Sequence, residues 1–190
     1  MATIFRTISD MPLIPHIGLA ALTFVGFRWV QGVLDASYAA SRHPVDFFTG
    51  QTRFSGEAVK EYYAVMQDFG TLDVYWRTQL IDFGFITSII CLGLFFCTLV
   101  SRLGRDGSWA RKVGLFAGMA AVAGAVCDAL ENAISFVMLS APQDFPNWLA
   151  LPYSGFAAVK FGLITLAMVL LIACIASAAV GRLIGKPVIG

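Results

Sequence analysis

Apolar runs long enough to cross a bilayer alternate with short polar stretches along this chain, and one long polar segment breaks the rhythm. The runs cover residues 17–34, 79–100, 113–139 and 153–183. Each comes close to or exceeds the roughly 20 residues a helix needs to span the hydrocarbon core. Only helices and closed barrels satisfy their backbone groups in lipid, so the pattern predicts an all-α polytopic membrane protein. We read residues 1–190 as a single transmembrane domain, a bundle of four transmembrane helices. The polar break, residues 35–76, is an external segment between helices one and two and holds Pro44, Gly50, Gly56 and Gly70. Within it Phe54, Ala58, Tyr62, Val65, Met66 and Phe69 recur at helical spacing. They predict an amphipathic helix over 54–69, either lying in the interface plane or packed as a lid over the bundle. Residues 1–11 predict a surface turn of helix ended by Pro12 and Pro15.

Composition strengthens the membrane assignment. Of 190 residues, 58% are hydrophobic and 13% charged. The charged share is about half that of a soluble domain. The net charge of +1 gives no argument for a nucleic-acid partner. Cys91, Cys97, Cys127 and Cys174 all fall in apolar runs without a C-x-x-C pair, so they read as apolar filler. That disfavours a disulfide-forming membrane enzyme. Arg6, the first apolar run and Ala36-Ser37-Tyr38-Ala39 mimic the three regions of a signal peptide. Arg28 and Gln31 interrupt the run, and we read it as a retained helix.

The distribution of basic residues orients the chain. The loop after the second run carries Arg102, Arg105, Arg111 and Lys112 against Asp106, whereas residues 142–152 contain no Lys or Arg. The positive-inside rule places the first loop in the cytoplasm and the second outside. Arg182 and Lys186 agree with a cytoplasmic C-terminus, and Arg6 with a cytoplasmic N-terminus. The cytoplasmic (inner) membrane of a bacterium is the expected location.

This topology gives depth to the polar residues inside the runs. Asp128, Glu131 and Asn132 stand at i, i+3 and i+4, on one helix face. A rise of about 1.5 Å per residue puts them in the outer half of the third helix, with Lys160 about 12 Å below the start of the fourth. Arg28, Gln31 and Asp35 fall near the outer end of the first helix, and Asp82 near the outer start of the second. The expectation is one convergent layer, in which Arg28 and Lys160 nearly balance Asp82, Asp128 and Glu131. Ionisable residues within membrane segments are functional candidates by default. A salt-bridge network that only fixes helix register would leave the same pattern.

Paired carboxylates in unlike environments suit acid and base roles, which makes Asp128 and Glu131 the catalytic candidates of an enzyme. Arg28, Gln31, Asp82, Asn132 and Lys160 are the binding candidates. Carboxylates and an amide without histidine suit hard cations, not zinc or copper. His16 and His43 lie at or outside the membrane boundaries, so no metal and no cofactor is expected. Gly114-x-x-x-Gly118, Ala120-x-x-x-Gly124 and Ser177-x-x-x-Gly181 allow close helix approach, within the chain or to another subunit.

Arg77-x-x-x-x-Asp82-Phe83, Asp128-x-x-Glu131-Asn132 and Lys160-Phe161 together resemble a group of small uncharacterised bacterial four-helix integral membrane proteins. The likeness covers roughly the last two-thirds of the chain. It implies the four-helix layout and a polar layer, and no activity.

Three functions stay open at this point. The first is a binding or assembly protein, holding a lipid or small amphiphile or joining other membrane subunits or a homo-oligomer. The second is an intramembrane enzyme acting on a lipid-like substrate. The third is a proton- or cation-coupled carrier, for which an internal repeat would be expected and is not visible.

Overall fold

The computed structural model describes residues 2–183 and is all-helical, with no strand among them. Lys186, one of the two cations expected to mark the C-terminal side, lies outside the described residues. Eight α-helices follow in order: α1 Ala2–Ser9, α2 Leu13–Ala40, α3 Phe47–Gln51, α4 Gly56–Asp68, α5 Leu72–Cys91, α6 Cys97–Ser101, α7 Trp109–Ser140 and α8 Ala150–Leu183. A π-helical turn, Leu92–Phe96, joins α5 to α6, and a 3-10 turn, Asn147–Leu149, leads into α8. Four helices are long and apolar enough to cross a membrane: Leu13–Ala40, Leu72–Ser101, Trp109–Ser140 and Asn147–Leu183.

Each of these extends beyond the apolar run that announced it. Propagation adds one backbone hydrogen bond per residue, so a helix continues past its apolar window until a breaker stops it. The polar connection thus shrinks from the expected 35–76 to 41–71. Pro15 does not end a helix; it lies in the first turn of α2, where a missing N–H is harmless.

The helices group into two compact units. The first takes the chain up to Phe27, Ser88–Gly124 and the chain from Gly162; the second takes Arg28–Thr87 and Ala125–Phe161.

In the first unit, α7 approaches its neighbours through small residues. A Cβ on Gly118 would stand 2.6 Å from the Gly93 carbonyl oxygen and 2.7 Å from Phe5, and one on Gly114 would stand 2.7 Å from Ser101. The Gly114-x-x-x-Gly118 face is therefore used within the chain. His16 is fully buried. Its Nε2 is 3.0 Å from the Phe95 carbonyl oxygen and 3.0 Å from Thr98 Oγ1, and its Nδ1 is 3.3 Å from Arg102 Nη1. The ring is covered by protein at the start of α2. It is an internal group that bonds a carbonyl of the π turn, where regular i→i+4 pairing is interrupted. Arg111 holds the end of α1 and the turn after it, through Ser9 Oγ at 2.9 Å and Asp10 at 2.6 Å, and also pairs with Asp106. Arg102 donates to the Met11 carbonyl at 2.7 Å.

In the second unit the polar connection folds onto the ends of α5, α7 and α8. Asp46 caps α3, accepting from the Thr49 N–H at 2.9 Å, and Ser55 caps α4, accepting from the Ala58 N–H at 3.3 Å. Hydrogen bonds from Thr49 hold the Asp46 carboxyl below the usual carboxylate range. Gly70, at φ +67°, closes α4: the Thr71 N–H reaches the Met66 carbonyl at 2.8 Å, and the Gly70 N–H the Gln67 carbonyl at 2.9 Å. Thr71 Oγ1 donates to the Ser41 carbonyl at 2.6 Å, tying the two ends of the connection together.

The expected amphipathic helix forms, but a neighbouring face is the buried one. Gly56, Val59, Tyr63 and Met66 are buried, whereas Phe54 and Phe69 are exposed. Rotation is set by Gly56, where a Cβ would lie 2.5 Å from Asn147 Cα. Only glycine permits that approach. Val59, Tyr63 and Met66 then join Tyr75, Met138, Leu139, Phe145 and Tyr153 in the apolar core of this unit.

Helix α7 is the most enclosed of the four long helices, with 50% of its apolar window buried against 11%, 28% and 17% for the others. Its buried stripe runs at helical spacing along the whole helix. The residues are Val113, Gly114, Ala117, Gly118, Ala121 and Ala125, then Asp128, Glu131, Asn132, Ser135 and Met138. One face thus changes from small and apolar to ionisable at Asp128.

Candidate functional site

Asp128, Glu131 and Asn132 face inward because the stripe that buries Ala121 and Ala125 continues through them. Lys160 comes from α8, where Ala150, Tyr153, Ala157 and Lys160 form the buried face. Lys160 Nζ donates to Asp128 Oδ1 at 2.7 Å, to Glu131 Oε2, and to Gln51 Oε1 at 3.0 Å. An ammonium has three hydrogens, so every donor on Lys160 is engaged. Asp82, one turn beyond Thr78 on α5, accepts from Asn132 Nδ2 at 2.7 Å and lies close enough to Asp128 and Lys160 to feel both charges. That bond also fixes the Asn132 amide, leaving Oδ1 as a carbonyl acceptor directed elsewhere.

The structure brings Asp82, Asp128, Glu131, Asn132 and Lys160 together, all buried. It does not bring Arg28 or Gln31 to them. Arg28 is exposed and donates to Gln31 Oε1 at 2.7 Å, an i, i+3 pair on one outward face of α2. Asp35 is exposed as well. The expected charge balance therefore fails: three buried carboxylates face one buried ammonium. Charge and spacing could not reveal this, because placing Arg28 required knowing which face of α2 is covered.

Gln51 is the functional residue that sequence reasoning missed. It ends a five-residue helix in the polar connection, a stretch without strong periodicity, and reaches the cluster only through the tertiary fold. Ser135 was missed too, although it lies at i+4 from Glu131 and i+3 from Asn132, a spacing legible on α7.

The site is incompletely satisfied. Among the described residues, the buried oxygens Gln79 Oε1, Glu131 Oε1 and Asn132 Oδ1 have no hydrogen-bond partner, while Tyr63 Oη and Ser135 Oγ lie close to one another. All belong to the second unit. Glu131 is within electrostatic reach of the hydroxyls of Tyr63, Tyr75 and Tyr153. Each such buried atom costs about 1–3 kcal/mol if nothing satisfies it. Among the described residues no three His, Cys, Asp or Glu side chains converge to hold a metal ion. Chemically, the arrangement is a buried, acceptor-rich group of three carboxyls around one ammonium, with tyrosines nearby. No protein-family model matches the chain, and no curated protein or solved structure does either.

Proposed function

We propose that this is an integral membrane binding protein that holds the polar end of a lipid or small amphiphile in the cluster around Glu131. The observation that carries this reading is the group of unpartnered buried oxygens beside a lysine whose donors are all engaged. A network serving only to fix helix register would gain from closing on itself, since an unsatisfied buried group opposes stability. The basic loop at 102–112 supports an orientation with that loop in the cytoplasm and the 41–71 connection outside, in a bacterial inner membrane. On that orientation the ligand enters from the outer leaflet, beneath α3 and α4.

A second reading rests on one oxygen. Glu131 has Oε2 held by Lys160 and Oε1 unpaired, which leaves a carboxylate edge for acid or base chemistry on the same bound amphiphile, with Asp128 as its neighbour.

Native mass spectrometry of the full chain, purified in mild detergent, tests the binding reading. A bound amphiphile that survives delipidating washes in the parent protein and is lost in Asn132→Leu is the expected result. A parent protein that is folded and lipid-free, and that the substitution only destabilises, would reduce the cluster to a structural network. Conversion of the retained amphiphile over time, abolished in Glu131→Gln, would select the enzyme.

A further inference from the structure

We propose that the polar end of the bound molecule is a protonated amine: the site around Glu131 recognises an alkylammonium group. This rests on the binding reading above and specifies its ligand. Two of the unpartnered atoms are acceptors: Asn132 Oδ1, fixed as such by the bond from Nδ2 to Asp82, and Glu131 Oε1 whenever that carboxyl is ionised. The missing partner must therefore bring hydrogens. A positive charge on that partner would hold these carboxyls in their charged form, since Lys160 is the one buried cation beside Asp82, Asp128 and Glu131 among the described residues.

Lys160 itself shows that the chemistry fits. Its ammonium is held by a carboxylate pair and an amide oxygen, and a second ammonium would meet the same kinds of atom at Glu131 Oε1 and Asn132 Oδ1. The surroundings select an organic cation over a bare metal ion. Tyr63, Tyr75 and Tyr153 are buried near Glu131 and pack with Met138 and Phe145. Aromatic faces attract the CH groups next to an ammonium, and an apolar wall accommodates the carbon chain behind it. An inorganic cation would use neither.

The source of the amine is a lipid headgroup or a free alkylamine, and the arms of one experiment separate them. Purified full-length protein in nanodiscs of phosphatidylcholine is titrated with dodecylamine at neutral pH, and thermal stability is read. Parallel arms use dodecyltrimethylammonium, dodecanol and sodium chloride. A further arm replaces part of the phosphatidylcholine with phosphatidylethanolamine. The expected result is a saturable upward shift in Tm with dodecylamine and binding about tenfold weaker for the trimethyl compound, which lacks N–H donors. Dodecanol and sodium chloride should give no shift. A shift with phosphatidylethanolamine that blunts the dodecylamine response assigns the amine to a lipid headgroup; no such shift assigns it to a free alkylamine.

Equal shifts with dodecanol and dodecylamine would overturn the ammonium assignment while leaving amphiphile binding intact. A shift with sodium chloride alone would replace it with an inorganic cation. No shift in any arm would overturn both readings. Glu131→Gln should weaken dodecylamine at least about tenfold. If that variant does not fold, the comparison of dodecylamine with its trimethyl analogue on the parent protein decides alone.

Discussion

Gln51 accepts a hydrogen bond from Lys160 at 3.0 Å, joining the polar connection to the buried charges across 109 residues of chain. The same ammonium binds Asp128 at 2.7 Å and Glu131. One lysine therefore couples α3, α7 and α8. Several measurements follow from how much depends on it.

Lys160→Met should destabilise the protein by about 3–5 kcal/mol, because it leaves two buried carboxylates facing one another without their cation. The triple variant Lys160→Met, Asp128→Asn, Glu131→Gln should recover most of that loss. Thermal unfolding in detergent checks both. A single variant as stable as the parent would show that the ion triad does not hold α7 to α8.

Gln51→Ala removes one acceptor from a charged donor, a loss of about 1.5–3 kcal/mol. The effect should be local. Hydrogen exchange is expected to rise across 47–53 while α7 stays protected, and equal protection in both proteins would mean that α3 is held by other contacts.

Gly56→Ala should be disruptive although alanine favours helices. The added methyl would sit 2.5 Å from Asn147 Cα and 2.8 Å from its carbonyl oxygen, so α4 must move off the turn at Asn147–Leu149. A loss of about 1–3 kcal/mol is expected. Gly70→Ala carries a different penalty, from a left-handed backbone at φ +67° with open space around it. Tm values of the two variants, and a crosslink between positions 57 and 148 in the first, separate clash from strain.

Acid should loosen the polar connection through His43. The ring lies against Tyr38, Tyr62 and Tyr75 with Nδ1 2.9 Å from the Val45 carbonyl oxygen, and burial pushes its pKa below the ordinary 6.5. Asp46 and the Val45 bond oppose that shift without reversing it. The unfolded chain therefore takes up a proton at a higher pH than the folded one does. The contribution is complete above pH 6.5 and declines as pH falls from there through the lower folded value. His43→Phe should flatten stability against pH between about 7 and 5. An unchanged slope in the variant would assign the acid sensitivity to other groups.

His16→Leu removes the side chain that bonds the π turn at Phe95. The expected loss is about 1–3 kcal/mol, from an uncovered carbonyl and an unpaired Arg102. Hydrogen exchange should rise across 92–98, and protection equal to the parent would show that the π turn stands without the histidine.

Much of the architecture was legible because membrane helices satisfy their own backbone and need only a long apolar run. That is a local property, and it located the four long helices to within seven residues at each end. The stripe on α7 was legible in the same way: Asp128, Glu131 and Asn132 share a face by spacing alone. What spacing could not supply was which face of each helix is covered and by what. Arg28 was expected among the buried charges and stands outside them, because α2 turns that face outward. The buried face of α4 lies one residue along from the expected one, because Gly56 meets the backbone at Asn147. Gln51 and the engaged donors of Lys160 emerged only once the polar connection had folded back onto α8. Helix positions follow from how each segment partitions into lipid, whereas the pairing of charges follows from contacts between residues far apart in the chain, and those only the tertiary structure decides.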